Sequence, residues 1–166
     1  MKGVVYRMNP INPKVLEIGK MNLRGNLVPE AWFQNITRPN GKAYITAIII
    51  LADIIYWYRP TEIRNEHTGK IIGYRQKFKA DMLQKSYAEL SNKFGISKNE
   101  AINAVKHLEE IGVIKRIFRT IKSMPNTLFI DIFPKRIQEI SILSTEQLLK
   151  NLKEAEEADL FDEISR

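Results

Sequence analysis

The chain has 166 residues, no cysteine, and 26 Lys/Arg against 19 Asp/Glu, for a formal net charge of +7. The missing thiols exclude a disulfide scaffold, a thiolate zinc centre and a cysteine nucleophile, and they fit a reducing cytoplasm. The length suits one domain with appendages and is enough to bury a real core.

The charge is uneven. Residues 1–58 carry seven Lys/Arg against three Asp/Glu, residues 59–133 fourteen against eight, and residues 134–166 five against eight. A basic body with an acidic tail points to a polyanionic partner for the body, with solubility as the bland alternative. The opening Met1–Pro10 has no long apolar run, so a secretory leader is not expected.

Residues 1–25 read as an N-terminal arm. Val4-Val5-Tyr6 and Val15-Leu16-Glu17-Ile18 are candidate short strands, with Asn9-Pro10 and Asn12-Pro13 as turn signals between them. Residues 26–29 are extended, because a residue before proline is pushed out of the helical region, and Pro29 is placed to open a short helix through Ala31, Trp32 and Phe33. Thr37–Gly41 is a turn.

Residues 43–58 are the most apolar segment, shorter than a membrane span and interrupted by Asp53. A helix apolar nearly all round belongs at the centre of a small domain, and a carboxylate there needs an Arg or a backbone donor beside it. Tyr56-Trp57-Tyr58 closes this helix, which favours core packing over base stacking.

Residues 61–80 are an insertion with a hairpin tip at His67-Thr68-Gly69-Lys70. Its cations Arg64, Lys70, Arg75 and Lys77 belong either to a plain surface or to a phosphate-contacting flap. A metal site of His67 with Glu62 and Glu66 weighs far less than a surface turn. The spacing around Gly41-Lys42 and Gly69-Lys70 does not make a phosphate loop, and no cofactor or catalytic residue is expected.

Residues 86–133 are the most informative stretch. Leu83-Gln84-Lys85 is a short strand before it. Ser86 with Glu89, and Ser97 with Glu100, are capping-box pairs that open two helices, and Gly95 makes the turn between them. Ala101, Ile102, Val105, Leu108 and Ile111 are the buried stripe of the second helix, and Gly112 ends it. Val113–Ile121 and Thr127–Phe133 read as paired strands around a loop, Lys122–Asn126. Helix, turn, helix and hairpin in that order predict an α+β fold: a winged helix-turn-helix over residues 26–133, with the N-terminal arm, the inserted β-hairpin at 61–80 and a helical extension over 134–166. In the extension, Leu148, Leu152 and Ala155 form a narrow apolar stripe on an acidic helix opened by Ser144-Thr145-Glu146.

The buried stripe sets the outer face of the second helix. Ser97, Lys98, Asn99, Asn103, Lys106 and His107 are the candidate DNA contacts, since Lys reads guanine or phosphate and Asn pairs with adenine. Arg116, Arg119, Lys122, Ser123 and Asn126 are the candidate contacts of the wing, suited to phosphate or the minor groove, or else to protecting an edge strand.

The segment A-I-I-I-L-A-D-I-I-Y-W-Y, a polar connection and then S-Y-A-E-L-S-N-K-F-G-I-S-K-N-E-A-I-N-A-V-K-H-L-E-E-I-G-V-I-K-R resemble the winged-helix N-terminal domains of phage and mobile-element replication proteins. DnaD-like primosomal proteins and replisome organisers are among them. The resemblance implies binding of double-stranded DNA in replication initiation or primosome assembly of a phage, plasmid or bacterial chromosome. It also implies self-association as a homo-oligomer and contacts to primosome or helicase-loader proteins. Under it the start of the recognition helix falls on Ser97, Lys98, Asn99 and Asn103, and the wing on Arg116 through Asn126. A winged-helix transcription regulator and a protein-interaction scaffold are the alternatives. A cytoplasmic, non-enzymatic protein with no membrane partner is expected.

Overall fold

The computed structural model describes residues 11–164, a mixed α+β arrangement with two small antiparallel sheets. The first helix, α1 (Pro13–Lys20), starts where Asn12 accepts from the Lys14 amide at 2.9 Å and Pro13 supplies a preset helical φ. The strand expected over Val15–Ile18 is therefore a helix: Asn-Pro marks a helix start here rather than a turn between strands. The other candidate strand, Val4–Tyr6, lies outside the described residues. No residue of α1 is buried.

The short α2 (Trp32–Asn35) follows Pro29 as expected. Its Trp32 is buried, and the indole donates to the Ser141 hydroxyl at 2.8 Å. The turn after it closes through a Thr37–Ala43 bridge, with Gly41 at φ +80°.

The apolar run then forms α3 (Ile45–Tyr58), with Ala47, Ile48, Ile50, Leu51, Ala52 and Ile54 buried. Each buried Ile or Leu contributes about 1.5–3 kcal/mol by leaving water, so α3 is the centre about which the other elements are arranged. Asp53 sits among these side chains with no exposed surface. Its partners are lysines, not the expected arginine or backbone donor: Lys85 lies at 3.2 Å and Lys93 is in direct contact.

After α3, β1 (Thr61–Arg64) and β2 (Ile71–Arg75) pair as a two-stranded sheet of their own. The predicted tip is there. The Asn65 side chain accepts from the His67 and Thr68 amides, both at 2.9 Å, and Gly69 takes φ +68°. The hairpin is tied at its base, where Lys77 Nζ donates to the Tyr56 carbonyl at 2.9 Å and the Phe78 ring lies 4.9 Å from that of Tyr58.

The strand β3 (Leu83–Gln84) leads into α4 (Tyr87–Phe94) and α5 (Lys98–Glu110). Ser86 caps α4 by accepting from the Glu89 amide at 3.0 Å, and this is the only half of the expected capping box present among the described residues. Gly95 ends α4 at φ +63°, a left-handed conformation that would strain a side chain. At Ser97 both halves of the box form, at 3.1 and 2.7 Å. The buried stripe of α5 is Ala101, Ala104, Val105 and Leu108, which adds Ala104 to the predicted set and leaves Ile102, and Ile111 at the C-cap, half-buried. The two alanines let α5 approach α3 closely.

A second sheet has the order β3-β5-β4, with β4 (Ile114–Ile121) and β5 (Met124–Ile132) as a long hairpin. Its tip is tighter than the predicted loop over Lys122–Asn126: Ile121 pairs with Met124, so only Lys122 and Ser123 turn. The chain ends in α6 (Pro134–Ile140), whose Ile140 is buried, and α7 (Thr145–Ile164), where Leu148 and Leu152 of the predicted stripe remain exposed. No helix among the described residues is long and apolar enough to cross a membrane.

Breaking a buried ion pair from one side leaves the other charge uncompensated. Asp53→Asn therefore lowers the unfolding free energy by about 3 kcal/mol in a urea titration. Lys93→Met, which removes the half-exposed partner and leaves Lys85 in place, gives the smaller loss.

Candidate nucleic-acid interface

The outward face of α5 carries Lys98, Asn99, Asn103 and Lys106, all exposed. Asn99, Asn103 and Lys106 are spaced so that they share one strip of the helix, with Lys98 on its flank. None of the four is in an ion pair or a side-chain hydrogen bond among the described residues, so their polar groups face solvent unspent. Ser97 differs. Its hydroxyl accepts from the Glu100 amide and its own amide donates to the Glu100 carboxylate, so its role is to start the helix. The Ser97 amide, with its side chain, holds the Glu100 carboxyl below the usual glutamate range.

His107 departs from the expected outward position. Its side chain is 20 % exposed, its ring lies 5.1 Å from that of Tyr44, and its Nε2 is buried without a partner. The Arg38 guanidinium covers the Tyr44 ring at 4.1 Å. Arg38, an exposed cation beside α5, was not a sequence candidate. Only the fold brings the turn at residues 37–43 alongside that helix.

The two hairpin arginines are committed to partners within the chain, Arg116 in a half-buried contact and Arg119 at the surface. Arg116 donates to Glu109 from its backbone amide at 2.9 Å and from Nε at 2.8 Å, and to the Tyr87 hydroxyl at 3.2 Å. This three-way clamp locks β4 to α5 and α4. Arg119 makes two bonds to the Asp81 carboxylate, at 2.8 and 3.0 Å, and lies 5.0 Å over the Phe129 ring. The hydrogen bonds from Arg119 hold the Asp81 carboxyl below its usual range.

At the tip, Lys122, Ser123 and Asn126 are exposed, and all three have positive φ, 44°, 68° and 57°. Positive φ at both turn residues suits the twist of a two-residue hairpin, a geometry usually met by Asn-Gly. Here Lys and Ser accept it, which presents the Lys122 ammonium at the apex. Asn126 lies in a β-bulge, since the register shifts between Arg119–Thr127 and Ile121–Met124.

The fold brings the start of α5 and the tip of the hairpin to one groove of about 350 Å³, lined by Lys98 and Asn126 together with Gln84, Tyr87, Phe118 and Met124. Phe118 and Gln84 were not sequence candidates either. Neither carries a charge or motif, and their relevance comes from the register of β4 and β3 against α4. The insertion stands apart. Arg64 bonds its neighbour Glu62 and the Gly69 carbonyl, and Lys77 is spent on Tyr56, which leaves Lys70 and Arg75 as its exposed predicted cations without such a bond among the described residues. Among the described residues no group of three or more His, Asp or Glu is placed to hold a metal ion. No protein-family model matches the chain, and no curated protein shows significant similarity to it.

Burial pushes the Glu109 carboxyl up, but the Arg116 amide and guanidinium outweigh it and hold Glu109 below the usual glutamate range. A depressed folded value means that the clamp contributes fully above the unfolded glutamate value, about 4.3, and is lost as pH falls through the folded value. Glu109→Gln should lower stability at neutral pH and flatten the acid limb of a stability–pH curve measured by urea titration. At the apex, Ser123→Gly relieves a left-handed side chain and should raise stability by about 1 kcal/mol, seen as a higher melting temperature.

Proposed function

We propose that this chain is a winged helix-turn-helix protein that binds double-stranded DNA, with α4 and α5 as the helix-turn-helix and β4–β5 as the wing. The observation that carries this reading is that Lys98 at the start of α5 and Asn126 beside the hairpin tip line one groove, while Asn99, Asn103 and Lys106 are exposed on the same helix and Lys122 at the apex. The resemblance of residues 47–58 and 86–116 to replication-protein domains directs the binding to replication initiation or primosome assembly.

The protein binds and does not catalyse. Asn99 and Asn103 read base edges in the major groove, because short amide side chains pair in two-pronged fashion with adenine. Lys98, Lys106 and Lys122 meet phosphates, with Arg38 as a further contact beside α5. Arg116 and Arg119 hold the wing at its angle to α5, so they act on DNA through its position. In the insertion, Arg64 and Lys77 fix the hairpin while Lys70 and Arg75 remain for a phosphate. Self-association or a primosome contact would draw on the uncovered apolar side chains of α1 and α7, such as Val15, Ile18, Leu148 and Leu152.

The test is binding to a preferred DNA site, selected from a random pool, over a range of salt. Affinity should fall steeply with salt, because each phosphate contact releases counterions. Asn103→Ala should cost about 1–3 kcal/mol on the selected site and little on random DNA. Lys122→Ala should weaken both alike and reduce the salt slope by about one. Salt-independent binding, or none, would reject the reading. Repeated sites beside an origin would mark an initiator, and a palindrome over a promoter a transcription regulator.

A further inference from the structure

The groove between the first turn of α5 and the wing has more chemistry than a paired duplex can use. Phe118 lies on the face of β4 that turns toward the helices, the same face as buried Ile114 and clamped Arg116. Yet it is 50 % exposed, while Leu128, opposite it on β5, is buried. The ring stands where the core runs out, and with Met124 it forms an apolar wall open to solvent. The Arg116 guanidinium lies 5.9 Å over this ring and is itself fixed by Glu109 and Tyr87.

The polar lining is of another kind. The Lys98 ammonium has no ion-pair partner among the described residues, and the Gln84 and Asn126 side-chain amides make no hydrogen bond there. One groove thus offers an aromatic surface, two amide groups with free donors and acceptors, and a cation. These match in turn the face, the edge and the phosphate of a single nucleotide. A volume of about 350 Å³ lies at the small-ligand end of binding sites, too small for a helix and on the scale of one nucleotide.

A fully paired duplex presents base edges and phosphates, but its base faces are stacked inside. On it Phe118 could reach at most a thymine methyl, with no base face to stack on. An unpaired base has a free face. Resting on the duplex-binding reading above, we infer that this groove takes one unpaired nucleotide of the bound DNA, its base stacked on Phe118, its edge met by Gln84 and Asn126, and its phosphate held by Lys98. The protein then prefers DNA carrying a locally opened or extruded base over the same DNA fully paired.

The experiment uses the full chain and two short labelled duplexes of one sequence, one of them with a single unpaired thymine, read by fluorescence anisotropy. The unpaired base should tighten binding by about tenfold, the scale of one base–aromatic stack. Phe118→Ala should remove that preference, its loss falling on the duplex with the unpaired thymine far more than on the paired one. Phe118→Leu, which keeps an apolar side chain at the edge of the core but removes the ring, should do the same, and Phe118→Trp should retain the preference. Equal affinity of the wild type for both duplexes would overturn the inference while leaving duplex binding intact. An equal loss on both duplexes for Phe118→Leu would also overturn it, by assigning Phe118 to the shape of the hairpin. No binding to either duplex would remove the duplex reading and the inference with it.

Discussion

One buried charge constrains this fold. α3 is apolar on nearly every side and can be buried only if other elements surround it, yet it carries Asp53 with no exposed surface. An ionised carboxylate in that position is costly without a cation beside it. Lys85 comes from the junction of β3 and α4, and Lys93 from the last turn of α4. Both ends of α4 are thereby referred to one point on α3. The Lys85 ammonium also lies 5.3 Å over the Trp57 ring, so the C-terminal end of α3 takes part in the same arrangement. Because α5 packs on α3 and follows α4 through a single tight turn, the angle between α4 and α5 follows from this contact.

On α5 and the β4–β5 hairpin the cations divide by type in a way that follows from their side chains. A guanidinium is planar and fits a carboxylate with two parallel bonds, whereas an ammonium is a compact charge on a flexible stem. Arg116 and Arg119 are used as fasteners, one joining β4 to Glu109 of α5 and the other joining it to Asp81 ahead of β3. The lysines at positions 98, 106 and 122 stay exposed. Rigid clamps set the geometry of the hairpin, and mobile charges are left on its outside and on α5. A phosphate backbone needs charge within reach more than it needs fixed angles, so this division suits a surface that must be held in shape while meeting a polyanion.

Local features were legible in the sequence because their physics is local. Ser97 and Glu100 form their capping box from residues in the same turn, Gly95 takes its left-handed conformation from its missing Cβ, and the core helix shows itself by being apolar all round. Asn12-Pro13 was ambiguous at that level, since a cap with a first-position proline and a turn use the same residue types. The charged partners were not legible. Asp53 pairs across 32 and 40 residues with Lys85 and Lys93, and Arg119 reaches back 38 residues to Asp81, so each pairing depends on the folded path between them. His107 was misplaced for the same reason: helical periodicity gives the angle of a side chain on α5, but not that the turn at residues 37–43 brings Tyr44 against it.

This bears on what the net charge of +7 means. Internal pairing leaves the total unchanged but moves the excess to wherever cations are left unpaired. On the body those places include Lys98 and Lys106 on α5 and Lys122 at the hairpin apex. Two acids of α5, Glu100 and Glu109, are occupied by a helix cap and by Arg116. Farther along α5, Glu110 sits beside His107 at the C-terminal end of the helix. A phosphate approaching the N-terminal end of α5 thus meets the positive end of the helix dipole with Lys98, beside a Glu100 whose carboxylate already accepts from the Ser97 amide. An anion drawn to that end of α5 arrives where Lys98, Phe118 and Asn126 share one groove.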